Sequence, residues 1–541
     1  MRLDRLIAPE LAGEAGATEI TSLAYDSRRV RPGALFFCVR GFDSDGHDFA
    51  REAVAAGASA LVVERALEAD VPQVLVGSAR AAMAPAAARF YGEPARELRV
   101  VGVTGTNGKT TSAYLVRALL EASGVQCGLL GTVKSVIGGA ERAAARTTPE
   151  AIELQADLRA MLDGGDRACA MEVSSHALAL GRADAIGFAA AIFTNLTQDH
   201  LDFHPTMEDY FLAKRRLFVP PDGSCTPPPR VSVVNVGDRY GRRLAAELDG
   251  AVTFAVDAPA DYSASGLRCE LAGCSFTLRT PQRELRVKLP MPGRFNVANA
   301  VGALAAVHAL GVSGGGLEAL VAALERGVRV PGRFEPVEEG QGFAVLVDYA
   351  HTPDSLENVL RAARELVEGA GAREGARGRV LCVFGAGGDR DRGKRPQMGA
   401  IAARLADVAI VTSDNPRSEE PERIIEEIMD GVRAAAGEAA ADTGAGGRPA
   451  AARARVHATV ERRAAIAEAI ACAGEGDVVV IAGKGHEQGQ EFANGRKLPF
   501  DDVAVAREAL LARRRAERAA GAGAPAADAR AAGDGAGARA R

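Results

Sequence analysis

The chain has 541 residues, 47% of them hydrophobic and 25% charged, with a formal net charge of −5. That length admits about three domains, and the near-even charge offers no general surface for a polyanion, so no nucleic-acid partner is expected. No apolar run is long enough to span a bilayer, and the start "MRLDRLIAPELAGEAG" lacks the apolar core of a signal peptide, so a cytoplasmic protein is expected.

In chain order, the first hundred residues alternate strand-like runs ("ALFFCV", "ALVVE", "QVLVG") with helical stretches such as "DFAREAVAAGA", which predicts a small α/β domain. "ELRVVGVTGTNGKTTSAYLVRALLEASG" then opens a second unit with an apolar strand, a Gly-rich turn and an amphipathic helix. The later runs "ACAMEVSS", "AAAIFTNL" and "RVSVVNV" are spaced by helix-length segments, so a mostly parallel sheet covered on both faces is expected. "RVPGRFEPV" reads as a hinge into a third α/β unit holding "FAVLVDYAH", "RVLCVFGAGG", "ADVAIVTSDNP" and "DVVVIAGKGHE". The divisions expected are 1–97, 98–331 and 332–515, with a low-complexity insertion at 433–455 and a disordered tail at 516–541, both too poor in large apolar residues to offset the entropy of ordering. The eight cysteines form no C-x-x-C pair and read as small core residues, not as a disulfide or zinc framework.

"GVTGTNGKTT" carries the first chemistry. Gly105 and Gly108 let backbone N–H groups converge on phosphate oxygens, with Thr106, Asn107 and Thr111 completing the loop. Lys109 supplies charge for the β- and γ-phosphates, and Thr110 a hydroxyl for Mg²⁺. Val103 stands where the general phosphate-loop pattern has its first glycine. An ATP or GTP site follows, serving either a hydrolytic switch or a ligase that activates a carboxylate.

Polar clusters at strand ends favour the ligase. "AMEVSSHAL" presents Glu172, Ser174, Ser175 and His176, and "FTNLTQDHLDFH" presents Asp199, His200, Asp202 and His204. At the carboxyl ends of a parallel sheet such groups face the ligand crevice. Glu172 and His200 are candidates to hold a second Mg²⁺ that offsets repulsion between phosphate and carboxylate. Asn296 of "GRFNVANA" is placed at a nucleotide base and Arg333 of "RVPGRFE" near phosphate.

Together with "VDYAHTPDSL", "FGAGGDRDRGKRP", "DNPRSEEP" and "AGKGHE", these stretches resemble, in order, the motifs of the Mur ligases over about residues 20–510. The likeness is to the member that adds the third amino acid. It implies a small UDP-binding domain, a central phosphate-loop ATPase and a Rossmann-like C-terminal domain. It also implies ATP and Mg²⁺ as cofactors, and a D-glutamate γ-carboxylate phosphorylated and then attacked by an amine. The implied substrates are a UDP-N-acetylmuramoyl-dipeptide and meso-diaminopimelate, and a monomer is expected. Residue by residue, it implies Ser27 of "YDSRRV" at uridine, with Thr147, Thr148, Ser174 and Arg182 at the muramoyl-peptide. Leu180 stands where the resemblance implies a glutamine, and a leucine side chain cannot make that residue's substrate hydrogen bond.

The resemblance further implies a CO₂-derived carbamate on Lys214, joining Thr110, Glu172 and His200 at metal, and Asp348 at the nucleotide. Lys109, Glu172, His200 and Lys214 form the implied catalytic set. Arg390, Asp414, Asn415, Pro416, Arg417, Gly483 and Glu487 are the implied diaminopimelate contacts. Arg417 suits the distal carboxylate that lysine lacks, and buried unpaired it would penalise the wrong amino acid. A lysine-adding homologue, a folylpolyglutamate-type ligase and an ATP-driven switch are the alternatives.

Overall fold

The computed structural model describes residues 1–42, 44–312, 314–369, 378–442 and 454–522. It is α/β throughout, in three sheet-centred units, the fold class expected from the sequence.

The first unit is a four-stranded sheet in sequential order, Ser22–Ala24, Ala34–Phe37, Ala58–Val63 and Gln73–Leu75, all parallel. Parallel neighbours need crossovers. The helix Ala50–Ala55 makes one, and Ala79–Phe90 packs on the other side with Ser78 Oγ accepting from Ala81 N at its start.

The second unit is an eleven-stranded sheet. Its parallel centre runs Val252–Val256, Val231–Asn235, Phe188–Phe193, Arg99–Thr104, Ala168–Glu172 and Cys127–Leu130. Tyr262–Glu270 continues the parallel run beside Val252–Val256, and antiparallel strands close both edges, Gly273–Arg279 and Glu284–Leu289 beyond it, Lys134–Ile137 and Ala140–Ala143 on the other side. Arg99–Thr104 lies between Phe188–Phe193 and Ala168–Glu172, so three carboxyl ends meet at one crevice. The helices Lys109–Ala122 and Arg294–Ala309 cover one face, and close approach there requires glycine. A Cβ on Gly302 would meet the Phe254 ring at 2.8 Å.

The third unit has six strands, Glu335–Pro336, Ala344–Asp348, Val478–Ala482, Val380–Phe384, Val408–Val411 and Arg455–Ala458, parallel except for the first. Its carboxyl ends deliver the loops after Asp348, Phe384, Val411 and Ala482 to one rim.

Three expectations are corrected. The helix Pro421–Asp442 runs through the start of the supposed insertion, and Asp502–Ala522 through the start of the supposed tail. Alanine, glutamate and arginine extend a helix readily once a packed segment has nucleated it. The remainder of both segments, from 443 and from 523, lies outside the described residues, apart from 454–455. Cys269 and Cys274 are joined by a disulfide across the hairpin of Tyr262–Glu270 and Gly273–Arg279, where they are direct cross-strand partners. Of the other six cysteines Cys38, Cys127, Cys169 and Cys382 are buried, but Cys225 and Cys472 are exposed.

Candidate active site

The phosphate loop is built as its glycines require. Gly105 has φ +148°, and a Cβ there would fall 1.9 Å from Thr194 Oγ1. Gly108 has φ +85°, with Asn299 Oδ1 2.3 Å from its Cβ position. Asn195 clamps the loop from the neighbouring strand end, its backbone oxygen accepting from Thr106 N and its Oδ1 from Asn107 N, both at 2.9 Å. Lys109 Nζ folds back to donate to Gly105 O at 3.0 Å and Thr106 O at 2.8 Å. Thr110 and Thr111 open the following helix, whose positive end faces the cleft.

Glu172 is buried at the end of its strand. Its Oε2 accepts from Thr110 Oγ1 at 3.0 Å and from Thr132 Oγ1 at 3.1 Å, and its Oε1 from Thr132 N at 2.7 Å. Thr147 meets the same threonine, the two hydroxyls 3.0 Å apart. Lys214 lies near the end of the helix Met207–Arg215, 1% exposed, its Nζ donating to Gly105 O at 2.9 Å and lying 4.6 Å from the Tyr210 ring centre. Burial and the Lys109 charge push its pKa well down, against the pull of Asp199. His200 holds a left-handed backbone, φ +55°, with Nε2 3.3 Å from Asp199 Oδ2. Burial lowers its pKa, against the pull of Asp199, which favours the neutral ring.

These residues line a cleft of about 270 Å³ that the third unit closes with Arg333, Asp348, Tyr349 and His351. Arg333 Nη2 donates to Thr110 Oγ1 at 3.0 Å and its guanidinium lies 4.4 Å from the Tyr349 ring centre. Asp348 accepts from Phe334 N at 2.6 Å and Ala350 N at 2.8 Å, which fixes the hinge, and burial pushes its carboxyl up to about 6. Asn107 Nδ2 donates across the cleft to Asp354 Oδ2 at 2.6 Å. Asn296 is not brought here. It is buried, donates to Pro292 O and does not line the cleft, whereas Asn299 does.

A second cleft, about 1120 Å³, opens between the first and second units and contains Ser27. Arg28, Arg29, Arg80, Arg142 and Arg146 line it, and the sequence reading assigned none of them. Thr148 Oγ1 donates to Glu172 O at 2.9 Å, and Ser174 Oγ accepts from Ala177 N at 3.2 Å, so both are committed to local structure. Arg182, expected to clamp a substrate carboxylate, is paired with Glu150 at 2.8 Å and donates to Thr148 O at 3.4 Å.

The third unit gathers the other candidates. Asn415 Nδ2 donates to Glu487 Oε2 at 2.9 Å, and its Oδ1 accepts from Lys484 Nζ at 2.8 Å and Glu491 N at 2.9 Å. Lys484, buried, also reaches Glu487 at 3.0 Å and Asp414 at 3.4 Å. Gly483 has φ +122°, and Asp414 Oδ2 lies 3.0 Å from its Cβ position. Arg417, left-handed at φ +50°, donates from Nε to Glu491 at 3.2 Å and from Nη1 to Gly388 O at 2.7 Å. Pro416 O lies 1.9 Å from where Gly388 would carry a Cβ, so the two loops touch backbone to backbone. Arg390 is exposed and among the described residues has no hydrogen bond, its Cγ 3.8 Å from the Cβ position of Gly387, where Arg417 Nη1 is at 3.0 Å. Tyr349 links the two sites, lining the phosphate cleft and donating from its hydroxyl to Glu487 Oε1 at 3.3 Å.

Three family models match the chain, Mur ligase family, catalytic domain over 19–91, Mur ligase middle domain over 103–307, and Mur ligase, glutamate ligase domain over 332–485. The UDP-N-acetylmuramoyl-L-alanyl-D-glutamate–2,6-diaminopimelate ligase of Geobacillus kaustophilus is 46% identical over 92% of this chain and 96% of its own. The chain belongs to the Mur ligases. The ligase of the same name from Streptomyces coelicolor is 44% identical, over 92% of this chain and 94% of its own. A solved structure of a ligase so named is 31% identical with a TM-score of 0.65, over 95% of this chain and 99% of that one. MurF from Acinetobacter baumannii, 19% identical with a TM-score of 0.57 over 91% of this chain and 93% of that one, shares the fold.

The phosphate cleft of this Mur ligase fits a magnesium ion. Among the described residues no three His, Cys, Asp or Glu side chains cluster as a metal cage. Mg²⁺ does not require one, since it binds through one or two carboxylates plus phosphate and keeps several waters. Glu172 and Thr110 supply a carboxylate and a hydroxyl 3.0 Å apart beside the phosphate loop. Lys484, Tyr349 and His351 were missed by the sequence reading, although each lies inside a motif it quoted, "AGKGHE" or "VDYAH".

Proposed function

We propose that this Mur ligase uses ATP to join meso-diaminopimelate to the D-glutamate γ-carboxylate of UDP-N-acetylmuramoyl-L-Ala-D-Glu, through an acyl phosphate. The observation that carries this reading is the Tyr349 hydroxyl on Glu487, which puts a phosphate site and a site of mixed charge within one side chain of each other. Gly105, Thr106, Asn107, Gly108 and Lys109 cradle the phosphates, and Lys109 neutralises them without covalent chemistry. Magnesium, held by Thr110, Glu172, His200 and a carbamate on Lys214, would supply charge neutralisation for the approaching carboxylate. A depressed lysine pKa favours the neutral amine that reacts with CO₂. Arg333 and Asp348 bring the third unit onto the nucleotide.

Ser27 and the arginines around it take the UDP moiety, with Thr147, Thr148, Ser174 and Arg182 toward the peptide. Asp414, Asn415 and Glu487 receive the distal ammonium, and Arg417 with Arg390 the distal carboxylate. Gly483 leaves room beside Asp414, and Pro416 stiffens the loop. Phosphate release from ATP with UDP-N-acetylmuramoyl-L-Ala-D-Glu tests the reading. Release that requires meso-diaminopimelate and not L-lysine is expected, and release indifferent to the amino acid would overturn it.

A further inference from the structure

Lys394 is the first residue of the helix Lys394–Leu405 and is 7% exposed. Among the described residues its ammonium has neither a hydrogen bond nor an ion-pair partner. A buried unpaired charge is costly, and a cation at a helix N-terminus also opposes the macrodipole. The acidic groups that face it at longer range are Asp199 and Asp202 from the loop carrying His200, Asp414 from the amino-acid loop, and Asp391 from its own loop. The imidazole of His351, on the cleft wall, lies within the same field. The cation, carried by the third unit, thus lies within charge range of Asp199, which lines the phosphate cleft, and of Asp414 in the amino-acid loop. Arg390, read from the same sequence motif, is exposed instead.

We infer that Lys394 is a catalytic residue that binds the phosphoryl oxygens of the acyl phosphate as the amine attacks. The inference rests on the ligase reading above. In that step the amine nitrogen bonds to the acyl carbon and the carbon–oxygen bond to phosphate breaks. Phosphate leaves with the electron pair, and the surplus proton of the amine passes to solvent. Lys394 forms no covalent bond and stabilises charge that grows on the departing oxygens. An unpaired, preorganised cation is suited to that task, because no internal partner has to be released first.

The test uses the full chain carrying Lys394→Met, close in shape and uncharged. Expected is a fall in kcat of roughly 10²-fold, the scale for losing one preorganised charge-stabilising group. KM for ATP and for the UDP-dipeptide stays within about twofold, since those contacts are made elsewhere. The thermal midpoint rises, because an uncompensated buried charge is gone. That opposite movement of stability and kcat is what a structural lysine would not give. A kcat within about twofold of wild type overturns the inference, and so does a fall in thermal midpoint with kcat and both KM values worsening together. Wild type is assayed alongside. Phosphate release there without need of meso-diaminopimelate overturns the ligase reading, and the inference with it.

Discussion

Lys214 Nζ donates to the carbonyl oxygen of Gly105 at 2.9 Å, so the lysine proposed to carry a carbamate sits directly behind the phosphate loop. Its folded pKa is depressed by burial and by Lys109. For a base this means the unfolded chain binds the extra proton. Stability is therefore full above the unfolded value of 10.5 and is lost as pH falls toward the folded value. Carbamylation removes that penalty by replacing the amine. With ¹³C-bicarbonate the protein is expected to show one bound carbamate signal that weakens as pH falls and is absent from Lys214→Met. Activity of that variant falls by about 10²–10³-fold, as for loss of a preorganised electrostatic group. An unchanged carbon spectrum in the variant would sink the assignment.

Arg417 reaches Gly388 O and Glu491 from a left-handed backbone, a conformation that costs about 1–3 kcal/mol and is kept only where neighbours enforce it. Its guanidinium is thus held through Nε and Nη1, and the ligand carboxylate proposed above would meet the remaining Nη2 side. Arg417→Lys keeps the charge and loses the fork. Hydrogen bonds to charged groups contribute about 1.5–3 kcal/mol, so KM for meso-diaminopimelate should rise roughly 10–100-fold. KM for ATP should not move. Steady-state kinetics with each substrate varied separately checks this, and equal rises in both would contradict it.

How far the site was legible follows from where its signals lie. The phosphate loop was readable because an apolar strand, two glycines that a side chain would block and a helix are contiguous. Asn296 and Asn299 show the limit. They lie three residues apart on a helix buried nearly all round, so no amphipathic stripe says which one faces the cleft. The pairing of Arg182 with Glu150 is invisible for another reason, since two distant charged residues carry no mark of their meeting. The antiparallel edge of the central sheet was missed because strands such as Glu284–Leu289 alternate exposed with buried positions and form no continuous apolar run. The disulfide went unread with it, because Cys269 and Cys274 face each other only through that hairpin register.

Arg395 has a fully buried side chain that donates to Glu419 at 2.9 and 2.7 Å, to Glu427 at 2.8 Å and to Gly387 O at 3.1 Å. Glu419 also accepts from Asp389 N at 2.7 Å, so this cluster ties the loop after Phe384 to the loop carrying Arg417. Removing one partner of a buried pair costs about 3–5 kcal/mol, and the partial exposure of both glutamates, 22% and 25%, places the cost at the lower end. Arg395→Met should lower the thermal midpoint and raise KM for meso-diaminopimelate while leaving KM for the UDP-dipeptide unchanged. Calorimetry and kinetics on the same preparation check both, and a stable variant with normal KM would show that the two loops hold without the cluster.

Glu172 accepts three hydrogen bonds, one from Thr132 N and two from the hydroxyls of Thr110 and Thr132. Both carboxylate oxygens are therefore acceptors, and only one of the three donors, a backbone N–H, cannot reverse its role. In Glu172→Gln the amide oxygen would face Thr132 N and the amide nitrogen the two hydroxyls, which can turn to accept. The fold is thus expected to survive with a similar thermal midpoint, while the negative charge beside Thr110 is lost. A divalent cation at this position depends on that charge, so half-saturation by Mg²⁺ should rise about 10–100-fold, the range for loss of metal-site support. At saturating Mg²⁺ part of kcat should return. KM for the UDP-dipeptide should move less than the magnesium midpoint, since the arginine-lined cleft proposed for its UDP moiety does not include Glu172. A magnesium titration of phosphate release measures all three, and an unaltered titration midpoint would remove Glu172 from the metal site.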